Sequence, residues 1–262
     1  MAIHPELHRL PDGPVLSPIY AYTTQETAGE VTLLHCHDAA QLFHVVRGSL
    51  AIDTERGTFF VPPERAVWMP PRFAHETRYL TQSEVRYLYI SRSVAARLPQ
   101  EPRILQMTAL LRELILAYMT YPRAQTVSGP AARIGEVILD QLDLLPAQGL
   151  ELPLPAEGRL RGVCEAIVQD PAKAPVLAEA AAACALSVRS FERRIQAETG
   201  LSYRSWCRQA KLFRALELLA SGDSVSDVAF RLGYEGPSAF VSTFRKAFGV
   251  TPGRYFDTVA RS

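Results

Sequence analysis

The stretch LAEAAAACALSVRSFERRIQAETG (Leu177–Gly200) and the later stretch SVSDVAFRLGYEGPSAFVSTFRKAFGVTPGRY (Ser224–Tyr255) follow the same plan. Each begins with a helix of small residues, passes through a short turn and ends in a second helix that a capping-type residue opens. This repetition predicts two helix-turn-helix units. The segment Tyr203–Ala220 between them has a helical period, and it predicts a single helix that joins the units.

The second helix of each unit is predicted to have one apolar face and one polar, net basic face. At about 100° per residue, Phe191 and Ile195 share a face in the first unit, as Phe240 and Phe244 do in the second. The opposite faces can donate hydrogen bonds to base edges and phosphates. The candidate DNA-binding residues there are Arg189, Ser190, Glu192, Arg193, Gln196, Ser238, Ser242, Thr243, Arg245 and Lys246. For one helix alone, a merely solvated polar face is the alternative, and the recurrence of the pattern argues against it.

With these residues the sequence resembles the AraC/XylS family of transcription regulators. The matching positions are Ser187, Phe191, Arg193, Glu198–Gly200, Trp206, Leu212, Ala215, VSDVAFRLGY (Val225–Tyr234), SAF (Ser238–Phe240), FRKAFGVTP (Phe244–Pro252) and Tyr255. The resemblance implies sequence-specific binding to double-stranded DNA, with RNA polymerase as a further partner if the protein is an activator. One departure is Ala185, where the family usually has glycine. If this position is left-handed, alanine costs about 1 kcal/mol relative to glycine.

Composition and charge fit a two-domain protein with a nucleic-acid partner. The 262 residues carry a net charge of +1. Residues 156–262 hold 15 Lys and Arg against 11 Asp and Glu, whereas residues 1–155 hold 13 against 16. The excess of positive charge in the C-terminal part favours a polyanionic partner. The four scattered cysteines suggest no disulfide framework, and no signal or membrane segment is evident, so we expect a cytoplasmic protein without a membrane partner.

The N-terminal residues 1–95 are predicted to form a β-barrel or sandwich. Short β-rich segments such as VTLLHCH, LFHVVRG and EVRYLYI are separated by turns that contain Gly, Pro and acidic residues. Within them Gly29, His35, His37, Gln41, Gly48, Gly57, the pairs Pro62–Pro63 and Pro70–Pro71, and His75 occur at a spacing that resembles the cupin signature. In metal-binding cupins the corresponding residues are three histidines and a glutamate that converge on a divalent metal.

The candidate effector or metal site therefore comprises His35, His37, Gln41 and His75. His35 and His37 are two apart, so on a strand their side chains share a face. Glutamine in place of glutamate is a neutral and weaker ligand, which lowers the expected affinity for a hard cation. No cofactor is certain from the sequence. The alternatives are a divalent metal on the three histidines and a metal-free polar pocket for a small-molecule effector.

Two amphipathic helices are predicted between the domains, over residues 104–120 and 131–145, followed by a proline-rich linker over residues 146–155. The family resemblance implies that this segment forms a homodimer, and packing within one chain is the alternative. The predicted fold is thus α+β with two domains. A cupin-like barrel (1–95) precedes a helical dimerisation segment and linker (96–155), and an all-α double helix-turn-helix domain (156–262) follows.

The best-supported function from the sequence is a DNA-binding transcription regulator, not an enzyme, whose cupin domain senses a small effector. A metal-sensing regulator that uses the histidine cluster is the first alternative. A cupin metalloenzyme fused to a DNA-binding domain is the second. Gln41 argues against the enzyme, as does the lack of an evident acid–base pair beside the histidines.

Overall fold

The computed structural model describes residues 18–122, 128–148, 150–156 and 158–255. The described part of the chain divides into two compact units. The first lies within residues 1–54 and 59–151, and the second within residues 55–58 and 152–262. No helix in the described ranges has the length and apolar character needed to cross a membrane. The structure confirms a β-rich N-terminal part and a helical C-terminal part, as the sequence predicts.

The first unit is built on two antiparallel sheets. Its strands are β1 (Ile19–Glu26), β2 (Val31–His35), β3 (Ala40–Arg47), β4 (Leu50–Thr54), β5 (Gly57–Val61), β6 (Arg65–Met69), β7 (His75–Tyr79), β8 (Ser83–Ile90), β9 (Arg103–Gln106) and β10 (Ala147–Gln148). The larger sheet has the order β1-β8-β3-β6-β9-β10, and the smaller contains β5, β4, β7 and β2 in that order. A short strand, β11 (Glu151–Pro153), follows where the first unit ends.

Both faces are buried at the centre of the larger sheet, where β3 and β6 consist mostly of buried residues. On β3, Phe43 and Val45 belong to the core cluster between the sheets, whereas Leu42 belongs to a second cluster on the outer face. Helices α2 (Ala109–Met119) and α3 (Gly129–Leu144) cover that outer face through Leu111 and Ile138, among others. A four-residue helix, α1 (Arg92–Ala95), precedes β9.

Two predicted boundaries in this region are wrong. The β-structure does not end at residue 95, because β9 pairs with β6 in the larger sheet. The predicted helix over 104–120 begins only after Thr108, whose side chain accepts a hydrogen bond from the Leu111 N–H. Ile104 and Leu105 are buried in the two different clusters, one on each face of the sheet. Burial on alternate faces is the pattern of a strand and not of a helix. Residues 1–17 of the predicted barrel lie outside the described ones.

The second unit is helical. It contains α4 (Gly158–Gln169), a 3-10 turn (Pro171–Lys173), α5 (Leu177–Ala183), α6 (Val188–Thr199), α7 (Tyr203–Ala220), α8 (Val225–Arg231) and α9 (Pro237–Phe248). Serine hydroxyls cap α6, α7 and α8 by accepting from the backbone N–H three residues on. The second helix of each unit ends at a left-handed glycine, Gly200 or Gly249. The helix pairs α5–α6 and α8–α9 are thus the two predicted units, and α7 joins them.

The turn of the first helix-turn-helix unit, between α5 and α6, carries a conformational strain. Ala185 has φ 55°, the left-handed region where a side chain is unfavourable. The condition under which alanine is costly at this position is therefore met. The equivalent turn of the second helix-turn-helix unit has glycine, Gly233, with φ 70°. The first helix-turn-helix unit keeps the same turn although alanine adopts this conformation less readily.

Replacing Ala185 with glycine is expected to stabilise the helical C-terminal part of the chain by about 1 kcal/mol, because glycine adopts a positive φ at no steric cost. Chemical denaturation of the two proteins measures the difference. Ala182→Gly is the matched control, since Ala182 is exposed within α5 and glycine there costs up to about 1 kcal/mol. A loss of stability in Ala185→Gly would contradict the strain.

Candidate DNA-binding surface and effector site

Helix α6 presents the polar face that the sequence predicts. Phe191 and Ile195 are fully buried, whereas Arg189 and Arg193 are exposed and have no ion pair with any described residue. Arg194 differs, because its Nε donates to Glu198 Oε1 at 2.7 Å. The two guanidinium groups at 189 and 193 are therefore available for an external acceptor, and their spacing of four residues places them on one face.

The other polar residues of α6 are partly committed to the helix itself. The Ser190 backbone N–H and hydroxyl both contact the capping Ser187 hydroxyl, at 3.2 and 3.0 Å. Gln196 is exposed and its Nε2 donates to the Gly200 carbonyl at 2.8 Å. Glu192 is half-buried. Arg189 and Arg193 thus remain as the strongest candidates for contact with DNA in this helix.

Helix α9 repeats the arrangement with weaker donors on its face. Phe240 and Phe244 are fully buried, and Ser238 and Ser242 are exposed. The Thr243 hydroxyl donates to the Ala239 carbonyl at 2.9 Å, so it is used inside the helix. In the last turn lie two exposed cations, Arg245 and Lys246. Helical spacing predicts Val188 on the apolar face of α6 and Ala247 on that of α9, but both residues are exposed.

The three histidines of the predicted cupin pattern come together in the first unit. His35, at the end of β2, pairs in register with His75, at the start of β7. His37 follows β2, and the ring centroids of the three lie 4.4–5.8 Å apart. One nitrogen of each ring lies within 4.8 Å of the others. His35 and His75 are buried and His37 is half-buried, so the site is largely screened from solvent.

Backbone carbonyls fix the tautomer of each ring. The Nδ1 atoms of His35, His37 and His75 lie 2.8, 2.7 and 2.9 Å from carbonyl oxygens of Leu33, Ala39 and Phe73. A neutral imidazole that donates from Nδ1 carries its lone pair on Nε2. Burial lowers the pKa of His35, which favours the neutral ring at physiological pH.

Gln41 extends the histidine site toward the barrel interior. It is fully buried, its Oε1 lies 2.7 Å from His37 Nε2, and its Nε2 donates to the Tyr89 hydroxyl at 2.8 Å. Both nitrogens of His37 therefore face an oxygen. A neutral imidazole has only one N–H, so this arrangement needs either a second proton on His37, a reversed Gln41 amide, or another cation that binds Nε2 and Oε1 from one side.

Aromatic rings adjoin this cluster, and sequence reasoning missed them. Tyr89 is the register partner of Gln41, and its ring centroid lies 5.3 Å from that of His37. Tyr22 stacks on Tyr89, with 6.1 Å between the ring centroids. Burial is the main reason that the pKa of Tyr89 is raised, so its hydroxyl stays protonated. The sequence signal was the spacing of Tyr87 and Tyr89 in EVRYLYI, since residues two apart on a strand share one face.

The fold and both sites define a class of protein, a DNA-binding transcription regulator with a ligand-binding β domain. Residues 18–163 match the family model of the AraC-like ligand binding domain, and residues 180–258 match that of a helix-turn-helix domain. The chain is 35% identical over 222 residues to the HTH-type transcriptional regulator NimR of Escherichia coli K12, covering 85% of this chain and 81% of NimR. The chain therefore belongs to the AraC family of transcription regulators.

One further relative is similar over a shorter range, and one solved structure is similar at low identity. The HTH-type transcriptional activator RhaS of Klebsiella pneumoniae is 36% identical over 75 residues, which cover 28% of this chain and 27% of RhaS. A crystal structure of ToxT from Vibrio cholerae with bound unsaturated fatty acid covers 91% of this chain and 94% of ToxT, at 12% identity and a TM-score of 0.39.

Proposed function

We propose that this regulator senses its effector at the site formed by His35, His37, Gln41 and His75, and that a divalent transition-metal ion is bound there. The observation that supports the metal is the common orientation of the rings. In all three histidines Nδ1 contacts a backbone carbonyl, which directs the lone pair of the neutral ring to Nε2. Histidines that ligate metals usually donate their other N–H to a carbonyl or carboxylate in this way.

The donor set favours a borderline metal over a hard one. Three imidazole nitrogens and one amide oxygen suit Zn²⁺, Co²⁺, Ni²⁺, Cu²⁺ or Fe²⁺ better than Mg²⁺ or Ca²⁺, which prefer charged oxygen ligands. The close contact of Gln41 Oε1 with His37 Nε2, at 2.7 Å, places two acceptors where a cation would satisfy both. The neutral amide leaves the charge of the ion uncompensated, so we expect weaker binding than a glutamate would give.

A metal-free organic effector is the second candidate for the same site. It is favoured by the chain of hydrogen bonds from His37 through Gln41 to Tyr89, which is complete when His37 is protonated or the amide is reversed. Aromatic rings beside the chain would suit a planar ligand. In either case we propose that the domain binds its effector without converting it. The absence of turnover would distinguish both candidates from a metalloenzyme.

Purified full-length protein, stripped with a chelator, is expected to bind one Co²⁺ per chain with a change in visible absorption. His75→Ala should weaken Co²⁺ binding at least tenfold, and Gln41→Glu should strengthen it, because a carboxylate adds charge to the ligand set. Cys36→Ser is the matched control: Cys36 lies between two of the histidines in sequence, is exposed and is not part of the cluster. Equal Co²⁺ affinity in His75→Ala and the wild type would exclude the metal and leave the organic effector.

We also propose a homodimer contact on α2 and α3, with RNA polymerase as a partner if the protein activates transcription. The support for the dimer is a set of exposed apolar side chains on these helices, Leu110 (53% exposed), Val137 (40%) and Leu144 (74%). Their burial in a second copy would be favourable by about 25 cal/mol per Å². Location in the cytoplasm, where its DNA lies, is part of the same proposal.

A further inference from the structure

The outer face of the larger sheet contains a second polar cluster, away from the histidine–glutamine site. Its centre is His44, which lies on β3 opposite Arg86 of β8 and Ala66 of β6. Because side chains alternate along a strand, His44 shares the face of Leu42, which α2 and α3 cover, and not that of Phe43. His44 is fully buried, and neither of its ring nitrogens has a hydrogen-bond partner among the described residues.

Two arginines place positive charge near this histidine: Arg86, its register partner on β8, and Arg112. The Arg86 side chain is only 12% exposed, and its Nη1 is buried with no hydrogen-bond partner in the described part of the chain. Its Nη2 is 3.9 Å from Glu84 Oε1, which is too long for a hydrogen bond. Arg112 of α2 pairs with Glu64 through Nη2, yet within the described ranges its buried Nε has no partner. Burial, followed by the charges of Arg86 and Arg112, lowers the pKa of His44 to about 3.

Each arginine has a carboxylate beside its Nη2, but Arg86 Nη1, Arg112 Nε and the ring nitrogens of His44 are buried without an acceptor among the described residues. Buried polar atoms in folded proteins are nearly always hydrogen-bonded, since a buried donor without a partner is destabilising. Here the groups are N–H donors on two guanidinium ions and an imidazole. A water molecule would satisfy some of these donors. A small oxyanion has several acceptor oxygens that could serve them together, and guanidinium groups bind carboxylate and phosphate oxygens strongly.

We propose that His44, Arg86 and Arg112 bind a small oxyanion, a carboxylate or a phosphate, between the outer face of the sheet and α2. This site is additional to the effector site inside the barrel. Because His44 has no exposed surface, the anion must be small or must be the end group of a larger molecule. Since Arg112 belongs to a helix and the other two residues to strands, an anion bound by all three would attach α2 more firmly to the sheet.

The test uses full-length protein with labelled histidines and follows the imidazole resonances of His44 by NMR. Inorganic phosphate and acetate are titrated separately at constant ionic strength, with chloride as the reference anion. We expect a saturable shift of the His44 signal with phosphate, acetate or both, and none with chloride. A response to only one of the two assigns the site to phosphate or to carboxylate. If His44 responds to neither, the proposal is overturned.

Variants separate specific binding from the general stabilisation that phosphate gives to many proteins. Arg86→Gln and Arg112→Gln should each weaken the anion at least tenfold, whereas Arg112→Lys, which keeps the charge, should weaken it less. Arg133→Gln is the matched control, since Arg133 is exposed on α3 and is not part of the cluster. Should a glutamine variant fail to fold, Arg112→Lys and the wild-type titration still decide. An equal response in Arg112→Lys, Arg133→Gln and Arg86→Gln would show that the cluster does not bind the anion.

Discussion

Arg193→Ala is expected to weaken binding to the best operator by about 1–3 kcal/mol and to remove the preference at one or two base pairs. The reason is that arginine can bond both O6 and N7 of guanine, and such a contact discriminates between bases by about this amount. Arg193 is exposed on α6, has no ion pair with a described residue and lies one turn from Arg189. Arg194 is held by Glu198 and is not expected to read bases.

Arg245→Ala is the matched comparison in α9. This arginine lies in the last turn of its helix, next to Lys246. Ser238 and Ser242 occupy the positions in α9 that correspond to the two arginines of α6. We therefore expect Arg245 to contact phosphates and not bases. Loss of one phosphate contact should weaken all sequences about equally and reduce the salt slope by about one. The first unit would then supply most of the specificity, and the second mainly affinity.

The measurement begins with selection of bound DNA fragments, which supplies an operator. Affinities of the wild type and both variants are then determined on a panel of single-base changes at several salt concentrations. If Arg193→Ala lost affinity uniformly while Arg245→Ala relaxed sequence preference, the roles of α6 and α9 would be reversed.

Phe240→Ala is expected to lower the free energy of unfolding of the second unit by about 3–5 kcal/mol, the usual cost of removing a buried phenylalanine. Phe240 is fully buried, and its ring centroid lies 5.3 Å from that of Tyr234 and 5.7 Å from that of Phe244. A cavity at this point would separate α9 from α8. Because α9 carries the exposed cations at 245 and 246, operator affinity should fall as well.

Phe230→Ala is the control, since it is the same change in the same helix-turn-helix unit. Phe230 is 64% exposed on α8, so its removal should alter stability by less than about 0.5 kcal/mol. Urea denaturation followed by circular dichroism gives both values. Similar losses for the two variants would mean that the second unit does not depend on the packing of Phe240.

The sequence predicted the helical units well because their signals are local. Serine caps, left-handed glycines and the period of Phe191, Ile195, Phe240 and Phe244 are all set within a few residues. The sequence pattern identified Ala185 as the position where a left-handed turn would be costly, and the structure gives it φ 55°. The assignment of individual bases or phosphates to these side chains stays a prediction, because contacts with DNA are not encoded in helix periodicity.

The β domain was harder to predict because its partners are distant in the chain. Three histidines in a recognisable spacing were enough to expect a cluster, and the structure brings them together. The role of Tyr89 depends on the register of β3 with β8, which a sequence pattern does not give. β9 was mistaken for the start of a helix because ILQM is too short to show a period. The cluster around His44 requires β3, β8 and α2 together, so no single stretch predicts it.

Because side chains alternate along β3, adjacent residues of this strand contact the two opposite faces of the larger sheet. Gln41 points to the histidines, while its neighbours Ala40 and Leu42 pack in the cluster under α2 and α3. Consecutive residues of β3 are covalently joined, so a ligand that displaced Gln41 at the proposed effector site would also shift the backbone of Leu42 in the outer cluster. Such a shift would reach the side chains beneath α2 and α3 through a single strand, without a hinge.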